Sequence, residues 1–303
     1  MPDYSVYGLK IASDITLPPL AAAGDGPAPV DVTIRHGKIG DPPAGGVAFR
    51  TWHALPARFH IVIGPGCRMD VTGGKTITIE GADAVPPERL VSMILGSGMA
   101  ALLMQRGIVP LHACSIAIDG GALVVMGRSG AGKSTLLATL LQQGYPMVSD
   151  DVLGLRLAET CRVMALPAFP AVRLWQDSLA MLGHSADGLA RVQPGMAKHY
   201  LPIAATVAGP LPVRAIVQLT NTNAAEPELR EVPPSNRTEC LSRYIFRKRF
   251  MAGMQLRALG FSVATRLATS VPFLRLARPA TGSTPRTVAD LLLDRLAALK
   301  AEA

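Results

Sequence analysis

The sequence predicts an α/β fold preceded by a small β-rich domain, and three features carry that expectation. Over the first 84 residues, short β-branched and aromatic stretches alternate with proline and glycine breakers. A largely apolar run of 15 residues, from Leu90 to Met104, comes next. Beyond it, a strand runs into a glycine-rich loop, a helix and a further strand that ends on two carboxylates.

In the first part, strands are expected at 4–11, 30–35, 47–52, 59–63 and 76–80. The breakers between them are Pro18 and Pro19, the stretch 24–27, Pro42 and Pro43, Gly64 to Gly66, and the Gly73-Gly74 pair. Pro86, Pro87 and Glu88 then open a helix to about Gln105, with Gly107 as its stop. The apolar run is broken by Ser92, Gly96, Ser97 and Gly98 and is short for a bilayer, so it reads as a buried helix. From Val109 the pattern changes. Strands at 114–118 and 122–126 flank Asp119-Gly120-Gly121, a hairpin signature. A helix is expected at 135–143, stopped by Gly144, then a strand at 145–149. Later strands are expected at 152–157 and 213–219, and basic helices at 238–268 and 287–301. The implied organisation is a β domain at 1–84, a bridging helix at 85–107 and an α/β domain at 108–303.

Composition narrows the class. Of 303 residues, 49% are hydrophobic and 17% charged, which excludes a disordered chain. Lys and Arg number 30 against 22 acids, and the whole excess of +8 falls within residues 241–303. Such a segment suits an acidic partner, an oligomer interface or simply a solvated surface. Aromatic residues do not interleave with the basic ones, so nucleic acid is not expected as a partner. Cys67, Cys114, Cys161 and Cys240 lack any paired spacing, which argues against a zinc site or a disulfide framework. The start of the chain has no secretory pattern. The expectation is a soluble, cytoplasmic protein with no membrane partner.

The chemistry begins at Gly127-Arg128-Ser129-Gly130-Ala131-Gly132-Lys133-Ser134, a complete P-loop that continues into Thr135. Its glycines let backbone N–H groups turn toward a β-phosphate, and the helix that follows adds its dipole. Lys133 is expected to neutralise the β- and γ-phosphates of ATP, and the Ser134 hydroxyl to bind Mg2+. Asp150 and Asp151 follow Lys133 by 17 and 18 residues, at the end of the next strand. In an open parallel sheet, neighbouring strand ends share one crevice, so both carboxylates are expected beside the phosphates. Two adjacent acids suit two roles, one on the metal side and one accepting a proton from an attacking hydroxyl. His112, 21 residues before Lys133, is a lone histidine, and a lone histidine is more often structural.

Leu111-His112-Ala-Cys-Ser, the hairpin, the P-loop and Val148-Ser149-Asp150-Asp151 together resemble the catalytic core of the HPr kinase/phosphorylase family. The resemblance covers about residues 108–155. It implies Asp151 as the general base, Asp150 as a metal or positioning carboxylate, and His112 as an active-site orienter. It also implies ATP and Mg2+ as cofactors, a core like that of phosphoenolpyruvate carboxykinase, and a homo-oligomer, which in that family is a hexamer. The chain departs from the family downstream. Where the family has Glu-Ile-Arg-Gly, this sequence has Pro170-Ala-Val-Arg173-Leu-Trp175, with the Arg but not the metal-binding Glu.

The layout is more similar to the HPr-kinase-like proteins of lasso-peptide biosynthesis, some of which phosphorylate the C-terminal serine of a precursor peptide. The shared features are Tyr7-Gly-Leu-Lys-Ile-Ala-Ser-Asp, Arg173-Leu-Trp and the basic C-terminal region. The resemblance therefore implies a serine-containing peptide or small protein as substrate. Arg173, Arg243 and Arg247 are the candidate substrate-binding residues. Helical spacing puts Arg243 and Arg247 on one face and Arg249 off it, with Lys248 completing the basic cluster. Lys198 and His199, next to Tyr200, are weaker candidates. Two other readings stand beside a serine kinase: a nucleotide-gated binding module without transfer, and a small-molecule kinase.

Overall fold

The computed structural model describes residues 2–20, 29–42, 44–279 and 284–301; the breakers expected at 24–27 and at Pro43 lie outside the described residues. Eight strands form the first sheet: β1 (Asp3–Val6), β2 (Leu9–Ser13), β3 (Val32–His36), β4 (Val47–Phe49), β5 (Trp52–Ala54), β6 (Arg58–Gly64), β7 (Cys67–Thr72) and β8 (Thr76–Glu80). Their order is β1-β2-β3-β8-β7-β6-β5-β4. Pairing is antiparallel except where β3 runs parallel to both β2 and β8. Two expected strands are in fact hairpins. The stretch 4–11 turns back at Tyr7 and Gly8, which both have positive φ, and 47–52 turns between β4 and β5. Strand β7 escaped the sequence reading because Arg68 and Asp70 interrupt its apolar pattern. Both charges are answered by neighbouring strands: Asp70 accepts from Arg58 at 2.5 Å, and Arg68 donates to Glu80 at 2.7 Å.

A continuous helical stretch then crosses the molecule as α1 (Pro87–Met93), a π-helical turn (Ile94–Gly98) and α2 (Met99–Gln105). It is buried through most of its length, as the apolar run requires. Among the described residues, no helix is long and apolar enough to cross a membrane.

The second sheet holds the remaining chemistry. It is built from β9 (Val109–Leu111), β10 (Ala113–Ile118), β11 (Gly121–Gly127), β12 (Met147–Ser149), β13 (Leu153–Leu157) and β14 (Val163–Leu166). A separate ribbon pairs β15 (Ala171–Trp175) with β16 (Lys198–Pro202). The sheet is completed by β17 (Leu211–Thr222), β18 (Glu228–Glu231) and β19 (Phe273–Pro279). Helix α3 (Lys133–Gln142) follows β11, α4 (Gln176–Met181) follows β15, and α5 (Pro234–Arg243), α6 (Lys248–Gly253), α7 (Arg257–Ser270) and α8 (Pro285–Ala301) come later. The architecture is mixed α/β with several sheets.

Strand alternation explains the layering. Along β11, Ala122, Val124 and Met126 face the core shared with the first sheet and α5 to α7. Leu123 and Val125 face the other way, into the core beneath α3 and α8. The sequence reading made the carboxylate-bearing strand a direct parallel neighbour of the P-loop strand. Instead β10 lies between β11 and β12 and pairs antiparallel with both. Two antiparallel steps restore the direction, so β11 and β12 still end on the same edge.

The expected basic helix at 238–268 is three helices. Its first break has a clear cause: Ile245 bridges Leu111, while the Phe246 N–H donates to the Pro110 carbonyl at 2.8 Å. The His112 N–H donates to the Tyr244 carbonyl at 2.7 Å. Residues 244–246 thus pair along β9 and cannot stay helical. Arg247 follows at φ +53°, so Arg243 and Arg247 do not share a helical face, contrary to the spacing argument.

Among the contacts that tie the first sheet to the rest, two involve buried aromatic side chains far apart in sequence. Phe250 of α6 packs on Phe59 and Trp52, with ring centroids 4.2 and 4.9 Å apart. Phe250→Ala should destabilise the protein by about 3–5 kcal/mol, as for other fully buried aromatics. A urea titration would read this as a lower midpoint, and a loss under about 1 kcal/mol would contradict it. The second contact is the tip of the first hairpin. The buried Tyr7 hydroxyl donates to the Val152 carbonyl at 2.7 Å, and the Tyr7 N–H donates to the Pro167 carbonyl at 2.8 Å.

Candidate active site

The loop between β11 and α3 needs glycine for two separate reasons, shown at Gly132 and Gly127. Gly132 has φ +97°, a region L side chains avoid. At Gly127 a Cβ would lie 2.6 Å from the Leu219 carbonyl oxygen of β17. The first N–H groups of α3 have no acceptor within the helix. They stand at a cavity of about 320 Å3 whose lining includes Ser129, Gly130, Gly132, Lys133, Ser134 and Thr135. Ala131 is buried beneath, and Arg128 is exposed at the loop's outer side.

Lys133 is folded back into the loop. Its Nζ donates to the carbonyls of Gly127 at 2.8 Å and Arg128 at 3.2 Å, and to His112 Nε2 at 3.2 Å. His112 Nδ1 in turn lies 3.0 Å from the Asp151 carbonyl and 3.3 Å from Asp151 Oδ1. A neutral ring protonated on Nδ1 satisfies both sides. Burial lowers the His112 pKa, with nearby Lys133 adding to the effect and Asp151 opposing it, which favours that neutral form.

The two carboxylates occupy different environments. Asp150 is buried; its Oδ1 accepts from the Ser134 hydroxyl at 3.0 Å and its Oδ2 from the Arg173 N–H at 2.8 Å. Burial, reinforced by Asp151, pushes its pKa up. Asp151 stands at φ +67°, a conformation uncommon outside glycine, and its side chain is ion-paired with Arg173 Nη1. Burial would raise the Asp151 pKa too, but Arg173, with help from His112, Lys198 and Lys133, outweighs it and holds the carboxyl below its usual range. One acid of the pair is therefore biased toward its neutral form and the other toward the carboxylate, by neighbours rather than by residue type.

Arg173 is itself buried, its guanidinium 5.5 Å from the Tyr200 ring centroid and 5.7 Å from that of Phe169. Its position marks it as the partner of Asp151, although it also lines the cavity. Lys198 lines the cavity as well, with Nζ 5.9 Å from the Trp175 ring centroid. His199 is buried opposite Leu174 and does not line it. Arg243 is exposed and paired with Glu239, one helical turn away, outside the cavity lining. Arg247 lies over the Phe246 and Phe250 rings, in a neighbouring groove with Arg89, Lys248 and Arg249. Phe246 links the two regions, its ring centroid 6.1 Å from that of His112.

The structure adds Arg278, which sequence reasoning missed. From the end of β19 its Nε donates to the Ala131 carbonyl at 2.8 Å, and its guanidinium lies against Gly132. An arginine near the end of an alternating strand was the available signal, since β19 runs parallel to β17 and ends on the P-loop edge. Ser178 and Met181 of α4 also line the cavity and were not anticipated. Among the described residues, no group of three or more His, Cys, Asp and Glu gathers at a possible metal position. Ser134 and Asp150 form a two-residue oxygen set instead, the kind that suits Mg2+ completed by phosphate and water oxygens.

No family model matches this chain, and no curated protein matches it. Among solved structures, the chain is similar to the HPr(Ser) kinase/phosphatase from Coxiella burnetii, at 16% sequence identity and a TM-score of 0.34. That match covers 64% of this chain and 99% of the other.

Proposed function

We propose that this chain is a P-loop kinase that transfers the γ-phosphoryl group of ATP, with Mg2+, to a serine hydroxyl of a peptide or small protein. The acceptor favoured is the C-terminal serine of a lasso-type precursor peptide. The observation that carries the reading is Asp151: an ionised carboxylate, held by Arg173 and His112, in the same cavity as Lys133 and the P-loop. A protein that only switches on nucleotide binding has no need of a base at that place.

In the proposed reaction the serine Oγ–H is oriented by Asp151 and gives it the proton as the oxygen attacks the γ-phosphorus. The Oγ–P bond forms, and the bond from phosphorus to the β–γ bridging oxygen breaks, leaving ADP. Lys133 leaves its carbonyl partners to meet the phosphates, and Arg278 adds positive charge beside the loop. Bound at Ser134 and Asp150, Mg2+ would neutralise phosphate charge. His112 keeps the Asp151 loop in register by bonding its carbonyl.

Intact-mass measurement of synthetic peptides that end in serine, after incubation with Mg-ATP, tests the reading. One phosphoryl increment on a serine is expected. With Lys133→Ala the rate should fall by about 10²–10³-fold, the usual loss for a group that stabilises transferring charge. ATP binding without any increment on the peptides would remove the peptide-kinase assignment.

A further inference from the structure

The cavity has a wall that the proposed chemistry does not use. Thr135, the residue after Ser134, has its hydroxyl 3.1 Å from the Ser178 hydroxyl of α4. That contact brings α4 against the start of the P-loop helix, on the cavity wall formed by Thr135 and Ser178. Met181 lies three residues beyond Ser178, on the same helical face, and Trp175 caps the start of α4. Both large apolar side chains are left open at the cavity rim: Trp175 is 48% exposed and Met181 64%. A tryptophan so exposed is unusual away from a binding surface. Its ring is already approached by Lys198, whose charge acts on Asp150, Asp151 and Lys133.

We infer that Trp175 is the stacking platform for the nucleobase, with Met181 packing against the base edge and Lys198 bridging from the indole to the phosphates. The inference rests on the nucleotide reading of the same loop. A triphosphate with its γ-phosphorus at Asp151 and its β-phosphate on the loop N–H groups must carry its nucleoside away from the carboxylates. The Thr135 and Ser178 side of the cavity leads to Met181 and the indole. Stacking on an aromatic face is tolerant of base identity, so the wall should select for a base rather than for adenine alone.

Calorimetric titration of the full chain with Mg-ATP and, separately, Mg-tripolyphosphate tests this. Trp175→Ala should weaken ATP binding by about tenfold, in the range of base–aromatic stacking, and leave tripolyphosphate affinity unchanged. Trp175→Phe should restore most of the ATP affinity. The wild-type tryptophan emission should be quenched by ATP but not by tripolyphosphate, and Trp175→Phe should abolish that quench. The inference is overturned if Trp175→Ala binds ATP as tightly as the wild type, or if it loses ATP and tripolyphosphate affinity equally. A wild-type chain that binds neither ligand would instead overturn the nucleotide reading beneath it.

Discussion

Asp151→Asn is expected to lower phosphoryl transfer by about 10²–10⁴-fold, the range for loss of a positioned general base, while ATP affinity stays near normal. Asn is the same size and keeps the backbone carbonyl that His112 binds, so the loop keeps its local bonds, at the stability cost of leaving the buried Arg173 unpaired. What it lacks is the negative charge that pairs with Arg173 and the capacity to take a proton. Single-turnover transfer and equilibrium ATP binding, measured on one preparation, separate the two. Near-normal transfer by the variant would refute the base assignment. Loss of ATP binding as well would show that Asp151 acts on the nucleotide rather than on the hydroxyl.

The second large effect is expected at Arg173. Replacement by Met fills much of the same volume but leaves Asp151 without its cation, in a setting where burial raises the carboxyl pKa. Breaking a buried ion pair from one side costs about 3–5 kcal/mol at neutral pH. The pH dependence gives the sign. In the wild type the Asp151 pKa lies below its unfolded value, so its contribution is present above that value and is lost as pH falls through the folded one. In Arg173→Met the folded pKa is higher than in the wild type, because the largest of the charges that lower it is gone. The variant's deficit should therefore shrink as pH falls from neutral toward the carboxylate range. Urea midpoints across that interval would show the two proteins converging, and a constant gap would rule out Asp151 as the group responsible. The acid limb of the transfer rate should move to higher pH in the same variant, because its base protonates sooner.

The parts of the site that were readable from sequence are those made by neighbours in the chain. The P-loop is contiguous, and its strand and helix are signalled by local pattern, so the loop lies where the residues place it. The Asp pair was readable because one strand ending suffices to carry it, even though an intervening strand was not foreseen. What escaped depends on partners far along the chain. Arg278 meets Ala131 across 147 residues, and nothing in its local sequence names that carbonyl. The pairing of Arg173 with Asp151, between Phe169 and Tyr200, was out of reach for the same reason: its partners lie on other stretches of the chain. Helical spacing failed at Arg247 because the edge of β9 claims residues 244–246 for pairing, and tertiary hydrogen bonds outweigh a period of 3.6.

The Tyr7 hydroxyl closes a span of 145 residues onto the carbonyl that follows Asp151. Loop closure of that length is a late event in assembly, because the ordering entropy must be met before the contact contributes. During synthesis Tyr7 emerges among the first residues and has no counterpart until the P-loop and the Asp pair have both been made. The turn that carries Asp151 therefore takes its final place only when the two ends of this span meet.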